Sequence, residues 1–313
     1  MTTDLEAVFR AVKRWARVLD TETVPVLEAF DRVSSRSLRA SHHMPRSNIS
    51  ALDGFVLEGK GSTFFRVGTQ EMDAPPMRLK EGQAVFVPTG APLPRNGRFV
   101  MAEHVIEEGM EIRTRITGDE RKEWEKGSWL RKGTLVVEKG QRITAAVMEN
   151  LALAGMGTVE VYRRPRVAVM TTGDEIKSGT VPDSNRCLLA GLVQEDRGIV
   201  DHVPTAPDRV QDMAEALKAT LSSDLLVITG GTAKGKKDIT REALRWVGAR
   251  FLVDKPRITP GKTMAFGLVG KTPFFLLPGN PKSIRTLYEM FVRPCLMYLC
   301  GVQGEGQQGR YGE

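Results

Sequence analysis

The chain has 313 residues and a net charge of +7, with 41% hydrophobic and 27% charged residues, a composition typical of a soluble protein with two or three cores. Its three cysteines lack the CxxC spacing of a zinc site and are too few for a disulfide framework, so we expect a reducing cytoplasm. Lysines and arginines are spread along the chain with few aromatic residues between them, which argues against a nucleic-acid surface. The amphipathic N-terminus predicts neither a signal peptide nor a membrane span.

The first half of the sequence predicts helices around a β-rich insertion. Apolar residues recur at helical spacing from Leu5 to Leu19, and a shorter helix is expected over Val26–Ser34. Residues 41–138 contain short apolar runs broken by Gly, Pro and Asn, which indicates an all-β module without crossover helices. The expected strands are Phe64–Val67, Ala84–Val87, Arg98–Ile106, Glu111–Ile116 and Thr134–Val137. A helix is expected over Thr144–Ala154, so residues 1–40 and 139–163 are interpreted as a helical linker region that carries the inserted module.

The second half, residues 164–301, alternates strands and helices, which predicts an α/β domain with a mostly parallel sheet. The expected strands are Arg166–Met170, Ile199–Val203, Leu225–Ile228, Phe251–Val253, Met264–Leu268 and Pro273–Leu277. The expected helices are Asp183–Gln194, Pro207–Leu221, Arg241–Val247 and Pro281–Leu299, the last of them broken or kinked at Pro294. The Gly-rich tail, residues 302–313, is expected to be disordered.

Four polar loops of the α/β domain are the candidate site. They are residues 171–175, 229–238, 259–263 and 277–283. Because loops at the carboxyl ends of parallel strands line one crevice, we expect these loops to share one edge of the sheet. Their backbone N–H groups, lysines and carboxylates, among them Asp174, Glu175 and Asp238, predict a site for a phosphorylated ligand with a divalent cation. Each loop also has a simpler interpretation, as an ordinary turn that needs glycine or an Asx acceptor.

Several common nucleotide and hydrolase motifs are absent from the sequence. It contains no GxxxxGK[ST], GxGxxG or GxSxG, so the P-loop, Rossmann dinucleotide and α/β-hydrolase interpretations have no support. The adjacent His42 and His43 resemble a metal or catalytic pair. Adjacent side chains point apart, and we therefore interpret them as polar surface residues.

Seven groups of residues form a collinear series of short motifs. They are Ser50–Phe55 (SALDGF), Thr89–Pro94 (TGAPLP), Arg164–Val167 with Thr172–Glu175 (RPRV and TGDE), Asp183–Asn185 (DSN), Gly230–Asp238 (GG, G and D), Pro260–Lys262 (PGK) and Leu277–Ser283 (LPGNPKS). In this order they resemble the signature motifs of the MoeA family, the molybdopterin molybdenumtransferases of molybdenum-cofactor synthesis. One such motif is weak evidence, but a collinear set within residues 5–301 is strong.

The resemblance implies both a fold and a reaction. The fold is an elongated homodimer with a three-layer molybdopterin-binding α/β domain. The reaction is insertion of molybdate into adenylylated molybdopterin with release of AMP, assisted by Mg²⁺. The implied catalytic residues are Asp53, Thr89, Glu175 and Asp238, and the implied metal ligands are Glu175 and Asp238. The implied substrate-binding residues are Thr172, Gly173, Asp174, Asp183, Ser184, Asn185, Gly230, Gly231, Thr232, Gly235, Pro260, Gly261, Lys262, Pro278, Gly279, Asn280 and Ser283.

The resemblance also implies partners. Asp53 and Thr89 are expected to face the partner subunit's Glu175 and the partner subunit's Asp238 in the homodimer. Further expected partners are a molybdopterin adenylyltransferase and proteins of molybdoenzyme maturation, with no nucleic acid and no membrane.

The sequence departs from the family pattern at defined positions. The family usually has a C-terminal β domain after the LPGNP helix, so the resemblance is to a short form. Ile49, Ala233 and Thr259 stand where the family usually has Asn, Ser and a basic residue. One alternative function is therefore a non-catalytic molybdopterin carrier, sensor or docking protein that binds the pterin without releasing AMP. Another is adenylylation of molybdopterin, which would consume ATP without molybdate.

Overall fold

The chain folds into two compact units. The computed structural model describes residues 4–202, 205–206, 209–230 and 238–302. The first unit comprises Met1–Arg36, Glu138–Thr144 and Thr158–Glu313, and the second comprises Ser37–Val137 and Ala145–Gly157. The division predicted from the sequence, with boundaries near residues 40, 138 and 163, stays a prediction.

The described residues form short strands and mostly short helices. The helices are α1 (Asp4–Trp15), α2 (Ala145–Leu153), α3 (Asp174–Lys177), α4 (Ser184–Glu195), α5 (Val210–Ala219), α6 (Ile239–Trp246), α7 (Pro281–Leu287) and α8 (Arg293–Leu299). The strands are β1 (Thr21–Pro25), β2 (Leu38–Arg39), β3 (Ile49–Ser50), β4 (Gly54–Leu57), β5 (Thr63–Thr69), β6 (Gln83–Val87), β7 (Arg98–Met101), β8 (Ile106–Glu108), β9 (Glu111–Arg113), β10 (Glu123–Trp124), β11 (Leu135–Val137), β12 (Thr158–Tyr162), β13 (Arg166–Thr171), β14 (Ile199–His202), β15 (Leu225–Thr229), β16 (Arg250–Asp254), β17 (Ala265–Val269) and β18 (Thr272–Leu277).

The first unit is built on a six-stranded sheet in the order β14-β13-β15-β18-β17-β16. The first four strands are mutually parallel, and β17 runs antiparallel to both of its neighbours, β18 and β16. Every residue of β15 and β18 is buried. Continuous apolar runs of this kind are typical of parallel strands that are covered on both faces. The predicted α/β class with a mostly parallel sheet is therefore confirmed.

Helices cover both faces of this sheet and make three layers. Val167 and Val169 of β13 belong to one core cluster, which also contains buried residues of α1, α4, α7 and α8. Ala168 and Met170 belong to a second cluster, which contains buried residues of α5 and α6. Successive residues of a strand point to opposite faces, so a single strand contributes to both cores. The N-terminal apolar stripe belongs to the first of these cores.

The predicted helical linker is partly a β ribbon, and the predicted helix over Val26–Ser34 is wrong. Strand β1 pairs antiparallel with β12, and only a 3₁₀ turn, Val26–Glu28, follows it. The backbone of Asp31 has φ +62°, a left-handed conformation that ends helical geometry. Its N–H donates to the carbonyl of Ile143, 2.9 Å away, so this segment satisfies backbone groups with residues 141–143 and not within a helix.

The second unit contains a six-stranded sheet in the order β7-β4-β6-β5-β9-β8, in which only the β5–β6 pair is parallel. The predicted strand Arg98–Ile106 is interrupted by a 3₁₀ turn, Ala102–His104. Gly54 is required by packing, because a Cβ there would lie 2.3 Å from the ring of Phe99. Helix α2 contacts β11 within this unit.

The last predicted helix is interrupted as Pro294 suggested. Helix α7 ends at Leu287, a π-helical turn spans Tyr288–Val292, and Pro294 lies in the first turn of α8. Proline is tolerated in a first turn because its missing N–H has no partner there.

Helix α5 begins at Val210, so the predicted start at Pro207 lies outside the described residues, as does the predicted disordered tail beyond Val302. Among the described residues, no helix has the length and apolar character needed to span a membrane.

Candidate functional site

The described residues of the four predicted loops lie at one edge of the sheet in the first unit. Thr171 at the end of β13 is in register with Thr229 at the end of β15, and Thr229 with Leu277 at the end of β18. Ala265 at the start of β17 pairs with Leu276 on one side and with Asp254 on the other. The loop between β16 and β17 therefore leaves from the same edge as the other three.

Direct hydrogen bonds connect three of these loops. The Thr172 N–H donates to the Thr229 carbonyl at 3.1 Å, and the Thr229 hydroxyl donates to the Pro278 carbonyl at 3.0 Å. The Asn185 amide, in the first turn of α4, donates to the Gly279 carbonyl at 2.8 Å. These bonds bring predicted binding residues from three motifs together. Gly231, Thr232 and Gly235, together with Ala233, lie outside the described residues.

Gly230 lies at the closest approach between two loops. Its φ is +101°, and a Cβ on it would lie 2.6 Å from both the carbonyl oxygen and the hydroxyl of Thr172. We expect Gly230→Ala to lower the free energy of unfolding by about 1–3 kcal/mol, because the new methyl group meets backbone and the φ is unfavourable. Urea unfolding measures this, with Gly191→Ala in α4 as the control, where no atom lies within 4 Å of an added Cβ. Equal stability of Gly230→Ala and wild type would contradict the geometry.

Three helices begin at this edge with a polar cap. Asp183 accepts from the Arg186 N–H at the start of α4, and Asp238 accepts from the Arg241 N–H at the start of α6. Asn280 accepts from the N–H groups of Lys282 and Ser283 at the start of α7. All three residues therefore act as helix caps in the structure, and a ligand-binding role for them stays a prediction.

Two arginines that the sequence interpretation missed organise the edge. Arg186 donates to the Asp183 carboxylate at 2.9 Å and to the Thr171 hydroxyl at 2.8 Å. Arg241 donates to the Asp238 carboxylate at 2.5 Å. Both arginines stand three residues after the aspartate that caps their helix. The pattern D-x-x-R at a predicted helix start was the signal that could have found them, because positions i and i+3 are neighbours on a helix.

Two buried polar atoms at the edge have no hydrogen-bond partner within the described part of the chain. They are the Thr172 hydroxyl and the side-chain oxygen of Asn185. Thr172 is only 2% exposed. Because buried polar groups are normally hydrogen-bonded, these two atoms are suited to bind a ligand or ordered water.

The two proposed metal carboxylates have different surroundings. The carboxylate of Glu175, exposed in the one-turn helix α3, forms no hydrogen bond or ion pair with any other described residue, whereas its backbone carbonyl accepts from the Val181 N–H at 3.0 Å and from the Ser178 hydroxyl at 3.2 Å. Its carboxylate lies over Gly173, where an added Cβ would be 2.7 Å from Oε1. Asp238 is held by Arg241 through both carboxylate oxygens. Across the residues that the structure describes, no three His, Cys, Asp or Glu side chains form a metal cluster.

The remaining predicted binding residues also lie on these loops. Gly261, buried with φ +133°, packs against Ile258 and precedes the exposed Lys262. Lys282 is likewise exposed, at the start of α7. The other positions at this edge are Asp174, Ser184, Pro260, Pro278, Gly279 and Ser283. Among the described residues, the edge therefore presents the two lysines Lys262 and Lys282, the unpaired carboxylate of Glu175 and two unsatisfied polar atoms.

Asp53 and Thr89 lie together in the second unit. Gly54 pairs with Val87 across β4 and β6, which brings the residues after β6 beside Asp53. The exposed Asp53 carboxylate accepts from the Thr89 N–H at 2.7 Å and from its hydroxyl at 2.8 Å. These two bonds, the backbone one foremost, lower the pKa of Asp53 below its ordinary value of 3.8. The sequence motifs SALDGF and TGAPLP thus form one local structure.

We expect Thr89→Val to raise the pKa of Asp53 toward 3.8, because the hydroxyl donor is lost while the backbone N–H remains. A depressed pKa stabilises the fold above pH 3.8, and this contribution disappears as pH falls through the folded pKa. The stability difference between wild type and Thr89→Val should therefore be largest at neutral pH and vanish in acid. NMR titration of the Asp53 carboxyl carbon measures the pKa, with exposed Thr63→Val as the control, and an unchanged pKa would contradict the assignment.

Comparisons with known proteins identify the family. A profile described as a probable molybdopterin binding domain matches residues 168–298, and one described as the MoeA N-terminal region, domains I and II, matches residues 3–155. A molybdopterin molybdenumtransferase of Synechococcus elongatus is 30% identical over 311 residues, which cover 89% of this chain and 75% of the relative.

The chain belongs to the MoeA family.

Further MoeA-family proteins agree with this assignment. A molybdopterin molybdenumtransferase of Nostoc sp. is 29% identical over 325 residues, covering 94% of this chain and 73% of the relative. A crystal structure of the MoeA protein of Pyrococcus horikoshii has a TM-score of 0.76 and 25% identity, covering 97% of this chain and 81% of that one. All four sheet-edge loops belong to residues 168–298, which match the molybdopterin-binding domain. Asp53 and Thr89 belong to residues 3–155, which match the MoeA N-terminal region.

Proposed function

We propose that this protein inserts molybdate into adenylylated molybdopterin and releases AMP. The observation that carries the proposal is the convergence of the TGDE, LPGNP and PGK loops at one sheet edge, in the region that matches a molybdopterin-binding domain. Relatives named molybdopterin molybdenumtransferase align over 89% and 94% of the chain. Molybdopterin and molybdate are the proposed substrates.

In the proposed reaction an oxygen of molybdate or water forms a bond to phosphorus as the phosphoanhydride bond of the adenylylated substrate breaks, and AMP leaves as an anion. Lys262 and Lys282 are the cations placed to stabilise the phosphate charge that develops. The partly positive N-termini of α4 and α6 favour the same charge. Thr172 and Asn185 have unsatisfied polar atoms that would orient the bound substrate.

Mg²⁺ is the proposed metal, and its ligands would be Glu175 and Asp238. Mg²⁺ commonly binds one or two carboxylates and completes its shell with water and substrate phosphates. The unpaired carboxylate of Glu175 fits this requirement, and each Asp238 oxygen keeps lone-pair capacity beside its bond from Arg241. When bound, Mg²⁺ would neutralise phosphate charge and act as a Lewis acid. The described residues form no three-ligand cluster, which agrees with an ion that depends on substrate oxygens.

The homodimer is also a proposal, in which Asp53 and Thr89 of one subunit complete the site of the other. The two hydrogen bonds from Thr89 orient the Asp53 carboxylate, which is ionised at neutral pH, as a group that positions a substrate or an ion must be.

The direct test is to incubate the purified protein with adenylylated molybdopterin, Mg²⁺ and molybdate, and to measure AMP by chromatography. We expect AMP release that depends on molybdate and is not supported by sulfate. Tight pterin binding without AMP release would favour the non-catalytic carrier, sensor or docking protein instead. ATP consumption in the absence of molybdate would favour adenylylation of molybdopterin.

A further inference from the structure

Arg241 is a buried cation next to the candidate site. Its side chain is 2% exposed, and it is the largest of the fully buried side chains in the described structure. It stands in the first turn of α6, three residues after the cap residue Asp238. Burial of a guanidinium is costly unless its donors are paired, so the fold has to supply partners for it.

The partners of Arg241 come from three separate segments of the chain. Nη1 donates to Asp238 at 2.5 Å, where the second polar loop ends, and Nε donates to Asp254 at 2.8 Å, where β16 ends. Nη2 donates to the carbonyl of Thr263 at 2.8 Å, in the loop that carries Lys262. A longer bond of 3.4 Å reaches the carbonyl of Met264. One side chain thus joins two of the four loops of the candidate site.

The planar guanidinium suits this arrangement and an ammonium group does not. Arg presents five N–H donors in fixed directions, so its orientation determines where each acceptor lies. The carboxylate of Asp238 receives both the backbone N–H and Nη1 of Arg241, which leaves it little rotational freedom. The backbone of the loop beside Lys262 is held by the same group.

We propose that Arg241 is a positioning residue, which sets the orientation of the Asp238 carboxylate and the place of the Lys262 loop for the transfer reaction. This inference rests on the proposed function. Arg241 itself is buried and touches no substrate in this account. It acts through Asp238 and through the backbone of residues 263–264.

The test compares Arg241→Lys with Arg245→Lys, the same substitution one turn later on an exposed position of α6. We expect Arg241→Lys to lower kcat for AMP release about 100-fold, since a displacement on the order of 1 Å at a reacting centre costs about that much. Arg245→Lys should keep the wild-type kcat. Both are assayed well below their unfolding temperatures, so that the folded fraction, checked by circular dichroism, does not differ.

A purely structural role for Arg241 makes a different prediction. It would lower the unfolding temperature of Arg241→Lys and leave kcat and KM of the folded protein unchanged, which would overturn the proposal. Asp254→Asn offers a second variant, in which Arg241 keeps Asp238 but loses one anchor, and a kcat between those of wild type and Arg241→Lys is expected.

Amide hydrogen exchange separates failure of this inference from failure of the proposed function. If wild type and Arg245→Lys both release no AMP, the proposed function is wrong, and kinetics cannot test whether Arg241 positions Asp238 and the Lys262 loop. Faster exchange across residues 259–264 in Arg241→Lys than in Arg245→Lys would still support positioning. Equal exchange in the two variants would overturn it.

Discussion

Glu175→Gln is expected to lower AMP release at least about 100-fold while the protein stays folded, since loss of one preorganised electrostatic group commonly costs that much. The carboxylate of Glu175 forms no hydrogen bond or ion pair with the rest of the described chain, so no contact of the described fold depends on its charge. The amide of glutamine keeps the size of the side chain and removes the negative charge that a divalent cation requires. The measurement is kcat for AMP release at saturating molybdate.

The matched control for this experiment is Glu215→Gln, an exposed glutamate on α5 that belongs to neither the candidate site nor its loops. It should keep the wild-type rate. The two variants should also unfold at the same urea concentration as wild type. Turnover of Glu175→Gln at the wild-type rate would remove Glu175 from the proposed site, although it would leave the fold assignment untouched.

Co-expression of Asp53→Asn with Glu175→Gln is expected to restore activity that neither variant has alone. If each site uses Asp53 from one subunit and Glu175 from the other, a mixed dimer has one site with both substitutions and one site that is intact. Random association makes half of the dimers mixed, so the preparation should recover about a quarter of the wild-type rate in a two-fold symmetric dimer. The two subunits can carry different affinity tags, so that the mixed dimer is purified and assayed separately.

The mixing experiment has two informative negative outcomes. An inactive mixed dimer would show that Asp53 and Glu175 do not complement each other between subunits. A particle that remains monomeric at the assay concentration would contradict the proposed homodimer directly. Size-exclusion chromatography with light scattering of the wild-type protein distinguishes these cases. Asp73→Asn, an exposed aspartate of the same unit, should behave as wild type in the same mixing experiment.

Local patterns predicted most elements of the α/β domain correctly. The apolar run before Thr229 is a fully buried strand, and the caps Asp183 and Asn280 start helices where expected. The prediction failed at Val26–Ser34, where local propensity favoured a helix. There the backbone groups form hydrogen bonds with residues 141–143, about 110 positions along the chain. This non-local pairing overrides the local helix propensity.

The candidate site was also predicted only in part from the sequence. Glycine, proline and polar residues in short motifs marked the loops, because such turns need particular residue types at particular positions. The roles of Arg186 and Arg241 were not recognised. A charged side chain outside a motif is usually solvated, and only its burial against several segments shows that it organises them.

By itself, the sequence determined most strands and helices of the α/β domain and which family motifs occur in order, because these depend on the period and identity of neighbouring residues. Only the tertiary structure decided that β18 lies beside β15, although β16 and β17 intervene in the chain, and that the described residues of all four loops therefore lie at one edge. It also decided that one buried guanidinium joins Asp238, Asp254 and Thr263. Strand order and buried ion pairs depend on which distant surfaces are buried together, and no local pattern contains that information.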